Sequence, residues 1–424
     1  MADLFLLQDL LEYTRDGEWG KGEPGDGLIE MAVIRGTDFA AVRFGDLSSV
    51  PTRFIPNQIA ARKLLQPGDI LLETAGGTKD QPTGRTVYLP EKRFEVADTP
   101  LTCASFSRFL RVKPDLIDPR YLYWYLQSIY DSREMLPYHI QHTGVARFQY
   151  TDFASQWRVP VPNRAHQIEI VEILGSLDDK IELNLRMNET LEAMAQAIFR
   201  DWFVDFGPTL RKLAGATVPV EIMGGLVQDA ERAQALADLF PAKLGDGGLP
   251  EGWNIGRVED VLELAYGKSL PKGDRRDGQI PVYGSGGVGG FHDRALAQGP
   301  SVIVGRKGTV GSLYWEDGGF FPIDTVFFVR SEYPMTYCYY LLQTLGLEHM
   351  NTDAAVPGLN RNNAYRLDVS KPNNAVISEF GKVSEVLRSQ ISSNERENCI
   401  LAATRNLLLP KLMSGEIHLD SDEH

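Results

Sequence analysis

The sequence predicts an α/β (α+β) protein: two similar globular domains, separated by two long helices that form an antiparallel coiled coil, in a pseudo-two-fold internal repeat. Three observations predict it. Between Arg164 and Phe203, residues Ile170, Leu177, Asn184, Leu191 and Ile198 recur every seven positions, and Leu174, Ile181, Asn188, Ala195 and Trp202 form a second series offset by four. These are the a and d stripes of a heptad pattern. Shifted by 210 positions, both stripes return between Ser378 and Met413, as Phe380, Leu387, Asn394, Leu401 and Leu408 and as Ser384, Ile391, Asn398, Arg405 and Leu412. Finally, strand, turn, aromatic helix, polar Gly-containing loop and terminal Pro occur in the same order before each helix. A period of that length is a tandem duplication rather than a solenoid.

Residues 1–162 read as the first domain. Short apolar runs punctuated by Gly and Pro, at Leu28–Gly36, Asp69–Ala75 and Gly84–Pro90, are strands. Asp118-Pro119 starts a helix with an aromatic face, through Tyr130. The polar loop His139–Tyr150 follows, and Pro160 and Pro162 hold off the next helix. Residues 163–206 carry the first long helix; about 40 residues at ~1.5 Å each would span ~60 Å, too long for an ordinary core helix and in need of a partner. Asn184 and Asn188 align with Asn394 and Asn398, and a polar seam residue gives up stability to fix register and orientation. Arg405, aligned with Ala195, departs from the pattern and marks a possible opening of the seam. Residues 207–250 lose all long periodicity and read as a connector containing at most the short helix DAERAQALADLF.

Residues 251–372 repeat the first domain. Ser301–Trp315 takes the place of the strands around Asp69–Pro90. Thr336–Leu345 lies under the aromatic helix, and Gly358 under Gly144. Residues 373–416 are the second long helix, and the acidic tail 417–424 is expected to fray.

Composition narrows the function. The 424 residues carry a formal charge of −14, with 43% hydrophobic and 24% charged residues. That is ordinary globular composition, without a basic coat. No apolar run reaches the roughly 18 residues of a membrane span, and the acidic N-terminus lacks the basic region of a signal peptide. Cys103, Cys338 and Cys399 are scattered and odd in number, which suits a reduced, cytoplasmic setting and suggests neither disulfides nor zinc.

Two domains on a helix pair form a ruler. Half-sites on one face of DNA recur every ~34–36 Å, within reach of such a pair. The recognition chemistry then belongs in the polar loops. In the second domain these supply Lys268, Lys272, Arg275, Arg276 and Tyr283 beside five glycines starting at Gly284. GRKG adds Arg306 and Lys307, and GLNRNN adds Asn360, Arg361 and Asn362. In the first domain they are Thr78, Lys79 and Arg85, and Gln141, His142 and Arg147. Cations serve phosphates and guanine edges, and Asn and Gln suit adenine. The acid excess means the chain alone should hold DNA weakly, since non-specific affinity follows the phosphates neutralised.

Other motifs fail on context. Gly284, Gly286 and Gly289 match GxGxxG but sit in a hairpin-like run rather than between a strand and a helix. Gly267-Lys268-Ser269 lacks the upstream Gly of a phosphate loop, with Leu262 in its place. Asp178 and Asp179 flank heptad positions and read as a solvated helix face.

Three stretches carry a resemblance: ILGSLDDKIELNLRMNETLEAMAQAIFRDWFVDF in the centre, LFPAKL and GGLPEGW at the start of the second half, and NLLLPKLMSGEI near the end. Through them nearly the whole chain resembles the specificity (S, HsdS) subunits of Type I restriction–modification systems. The resemblance implies two target recognition domains, each reading one half of a bipartite DNA sequence, with the helix pair setting the spacer and no catalysis by the subunit itself. It implies two methyltransferase (M) subunits that bind S-adenosylmethionine, and restriction (R) subunits that use ATP and Mg²⁺, with no cofactor or metal held by this chain. The apolar residues near the helix ends outnumber the seam positions, and the surplus faces carried by Phe199, Trp202, Phe203, Leu409 and Leu412 are expected to form the docking surface for the methyltransferase subunits. The competing reading is a coiled-coil scaffold carrying two modules that bind something other than DNA.

Overall fold

A computed structural model describes residues 2–78, 81–141, 145–350 and 358–417. The chain divides into two compact units, Met1–Arg186 with Glu395–His424, and Met187–Asn394. Each unit contains one globular domain and a piece of both long helices, which run Arg164–Phe203 and Asn374–Ser414.

In the first unit four strands, β1 (Leu11–Asp16), β2 (Ile70–Glu73), β3 (Thr86–Tyr88) and β4 (Ser107–Val112), form a sheet in the order β1-β4-β2-β3. Side chains alternate faces along a strand, and the sequence is apolar on both. Ile70, Leu72, Leu110 and Val112 enter one core, while Leu71, Val87 and Phe109 enter another on the opposite face. The first core is closed by α1 (Pro119–Asp131), which buries Tyr121, Leu122, Trp124 and Leu126. Its start is fixed by Asp118, whose side chain accepts from the backbone N–H of Arg120 and Tyr121, with Pro119 pre-set for the first turn. A shorter helix, α2 (Tyr150–Gln156), follows the polar loop.

The second unit repeats this frame. Strands β5 (Glu263–Tyr266), β6 (Ser301–Gly305), β7 (Leu313–Glu316) and β8 (Val326–Arg330) assemble in the matching order β5-β8-β6-β7. The same alternation sends Val302, Val304, Phe327 and Val329 into one core and Ile303, Val326 and Phe328 into the other. Helix α3 (Met335–Gln343) stands where α1 stands, and α4 (Arg361–Tyr365) where α2 stands. In each unit the strand that opens the domain pairs antiparallel with the strand that precedes a long helix: Asp3–Leu6 with Arg158–Val161, and Asn254–Arg257 with Asp368–Lys371.

Within each unit the two long helices run antiparallel. In the first, Asp178 meets Arg405 at 2.6 Å and Nδ2 of Asn184 donates to Oδ1 of Asn398 at 2.9 Å and to Glu397 at 2.7 Å. In the second, Nδ2 of Asn394 donates to Oδ1 of Asn188 at 2.8 Å, and the Phe199 and Phe380 rings lie 5.4 Å apart. Every position of the two predicted stripes is buried or half-buried, and each unit holds one Asn–Asn pair. Arg405 does not open the seam. It closes it as an ion pair with Asp178, which also takes Arg43 at 2.8 Å. Asp178 is therefore buried rather than on a solvated face, whereas Asp179 is the exposed member.

The helices join the two domains by different chemistry. In the first unit Arg93, 1% exposed, gives both Nη groups to Glu182 at 2.9 and 2.7 Å and its Nε to the carbonyl of Val42. Lys92 adds a contact to Glu182 at 2.9 Å and another to Asp179. Burial alone would push the Glu182 carboxyl up, but hydrogen bonds from Arg93 and Lys92, with their charges, hold it at about 2. In the second unit the contact is aromatic: Phe199, Trp202 and Phe203 interlock with Phe240, Trp253, Tyr337 and Phe380.

The expected connector is folded. Gly207–Leu213, Pro219–Ile222 and Ala230–Ala237 are short helices that place Met223, Leu236, Ala237 and Phe240 in the second unit's core. Its Ala- and Gly-rich composition hid this, since contacts with Trp202 and Trp253 rather than periodicity hold it in place.

Candidate nucleic-acid interface

In the second domain the buried strand β6 ends at Gly305 and delivers Arg306 and Lys307 to its tip, where the N–H of each donates to the carbonyl of Thr325 at 2.9 and 3.1 Å. An isolated bridge, Lys307 to Gly358, ties this turn to the GLNRNN segment, and the N–H of Leu359 donates to the carbonyl of Arg306 at 2.8 Å. Leu359 is buried and anchors the segment. Arg361 then opens α4. The Arg306 and Arg361 guanidinium carbons lie 5.0 and 4.7 Å from the centroid of the Tyr266 ring, at the end of β5. The predicted pieces from Arg306 to Asn362 thus converge on an aromatic that the sequence reading passed over.

The first domain uses the same device. Ala75, just past β2, bridges to Arg147, and the N–H of Phe148 donates to the carbonyl of Thr74 at 2.9 Å. Thr78 is exposed and its Oγ1 accepts from the N–H of Gln81, and Gln141 and Arg147 are exposed on a pair of short antiparallel strands. Lys79 and His142, with Gly144, lie outside the described residues. Here too a cation stacks on a ring: the Arg108 guanidinium is 4.3 Å from the Tyr150 centroid. Neither residue stood out in sequence, because an Arg inside a strand and a Tyr opening a helix carry no motif.

The comparisons with known proteins bear on what these loops serve. Residues 57–193 match the family model described as the Type I restriction modification DNA specificity domain. The chain is 25% identical over 330 residues to the Type I restriction enzyme HindI specificity subunit of Haemophilus influenzae, covering 63% of this chain and 70% of that protein. It is 20% identical over 354 residues to the MjaIX specificity subunit of Methanocaldococcus jannaschii, covering 77% and 75%. By these comparisons the chain is similar to the specificity subunits of Type I restriction–modification systems. Its fold matches the crystal structure of the S subunit of such a system from M. genitalium, with a TM-score of 0.54 at 16% identity over 97% of this chain and 96% of that one. Specificity subunits are the non-catalytic, DNA-recognising component of these complexes. No helix among the described residues is long and apolar enough to cross a membrane.

The predicted contacts divide by what they already touch. Lys268, Lys272, Arg276, Lys307 and Asn362 are exposed. The Arg276 side chain faces Asp293 at 3.7 Å, while Arg275 gives Nη1 to the carbonyl of Gly289 at 2.6 Å and braces the glycine hairpin. Three assignments are corrected. Tyr283 is buried against Ile303 and Phe320, with its hydroxyl donating to Glu316 at 3.0 Å, and belongs to the core. Asn360 accepts from the N–H groups of Asn362 and Asn363, so its Oδ1 is committed to the cap of α4. Arg85 makes a two-pronged contact with buried Glu73, at 2.9 and 2.6 Å, which raises its pKa and commits Nε and Nη2 inside the domain.

The docking assignment is corrected as well. Phe199, Trp202 and Phe203 are 1, 2 and 3% exposed in the second unit's core, and Leu409 and Leu412, each 2% exposed, pack with Ile170, Leu174 and α1 in the first. The apolar surplus is consumed by each unit's own domain. Heptad counting showed the surplus but could not show that the domain, and not a partner, covers it.

Proposed function

We propose that this chain is the sequence-recognition subunit of a Type I restriction–modification complex, in which each recognition domain reads one half of a bipartite DNA target and the helix pair sets the spacer. One observation carries the two-reader form: the same bridge, Ala75–Arg147 in one domain and Lys307–Gly358 in the other, assembles polar loops at the same edge of the same four-stranded sheet. Two methyltransferase subunits carrying S-adenosylmethionine supply the modification chemistry, and restriction subunits with ATP and Mg²⁺ the cleavage, in the cytoplasm. The net charge of −14 makes a basic partner necessary for tight binding, because affinity follows the number of phosphates neutralised.

The test is to co-express the chain with its methyltransferase subunit and map modified adenines. The expected result is a split motif with a fixed spacer, altered in one half only when residues 251–372 are exchanged for another recognition domain. A stable complex that modifies no split motif, with the chain also failing to select DNA from a random pool, would return the scaffold reading.

A further inference from the structure

The two domains hold a cation–aromatic stack at the same place, with the roles exchanged. The strand registers place both stacks at the same end of the matching strand pair, on facing strands of it: Arg108 of β4 pairs with Asp16 of β1, and Tyr266 of β5 pairs with Phe327 of β8. The third member is the first residue of the short helix, Tyr150 in α2 and Arg361 in α4. In the first domain the strand supplies the arginine and the helix the ring. In the second the facing strand, β5, supplies the ring and the helix the arginine.

The electrostatic consequence differs sharply. Arg108 is neutralised within its own domain by Asp16 at 2.8 Å and also donates to Thr14. Arg306 spends Nη1 on the carbonyl of Asp324 at 3.1 Å. The Arg361 side chain has no hydrogen-bond or ion-pair partner among the described residues, and its Nε is buried without one. It is flanked by Tyr266 at 4.7 Å and Tyr365 at 5.6 Å. A guanidinium held by ring faces is oriented without using its donors. With Nε covered, the two Nη groups are left to donate together, and the acceptor pair that fits such a fork on duplex DNA is O6 and N7 of guanine in the major groove.

We propose that Arg361 reads a G·C pair in the half-site of the second domain, and that Tyr266, with Tyr365, is the positioning residue that aims it. This rests on the reading of the domain as a DNA reader. The first domain's equivalent stack, with its arginine neutralised, does not read guanine.

The experiment measures the fraction of sites methylated, by the co-expressed complex, across a library randomised in both half-sites. The domain exchange identifies which half belongs to residues 251–372. The wild-type complex should require a G·C pair at a fixed position of that half. Arg361→Gln should reduce discrimination at that one position by about tenfold or more, leaving the other positions and the other half intact. Tyr266→Ala should relax the same position, and Tyr266→Phe, which keeps the ring, should restore it. Unchanged discrimination in Arg361→Gln, or a loss spread evenly over all sequences as a phosphate contact would give, overturns the proposal while the two-reader function stands. A wild-type complex that modifies no split motif, with the chain also selecting no DNA from a random pool, overturns that function, and this inference with it.

Discussion

The two units solve one mechanical problem, fixing a recognition domain to a helix pair, with opposite chemistry. The first uses charge: Arg93 and Lys92 on Glu182, and Arg43 and Arg405 on Asp178. The second uses aromatic rings around Phe199, Trp202, Phe203 and Phe380. A duplication hands both copies the same frame, and the difference shows that what must persist is the fixed attachment rather than the residues that make it. It also sets how each attachment fails. Rings lose to cavities; buried ion pairs lose to any change that leaves one partner bare.

The largest expected effect breaks the aromatic side. Trp202→Ala should cost about 3–5 kcal/mol, seen by hydrogen exchange as loss of protection confined to Met187–Asn394; equal loss in both units would contradict the division. On the ionic side, Glu182 is held at about 2 against an ordinary value of 4.5. A depressed carboxylate contributes stability that is fully present above its unfolded pKa and is lost as pH falls through the folded one. The first unit should therefore weaken relative to the second as pH falls from 4.5 towards about 2. Glu182→Gln should bring a similar loss to neutral pH and remove much of that acid sensitivity; undiminished sensitivity in the variant would assign it elsewhere. The smallest effect is in the seam. Asn188→Ala removes the hydrogen bond from Asn394 and should cost about 1 kcal/mol, read as a shift in the denaturation midpoint.

Much of this was legible in the sequence. Heptads and recurring Asn pairs gave both helices, and the repeat gave both domains, because periodicity and duplication survive in one dimension. The ionic attachment was not legible. Glu182 and Arg93 lie 89 positions apart and are joined only by the fold. For the same reason Tyr283 read as a contact although the sheet buries it, and Tyr266 and Arg108 read as nothing although the sheet edge brings each to a stack. Loop composition located the site's segments, but the task of each residue was set by neighbours distant in the chain.

The division of the long helices bears on synthesis. The second unit is one continuous stretch, Met187–Asn394, whereas the first needs Glu395 onward to finish. On the ribosome the first domain emerges first but is completed last. At roughly 5–20 residues per second, Ile170 and Leu174 wait tens of seconds for Leu409 and Leu412, their partners in the finished core. During that interval the first core lacks the residues that close it, and a ribosome stalled before Leu409 would leave that side of the core open to chaperones or to another unfinished copy.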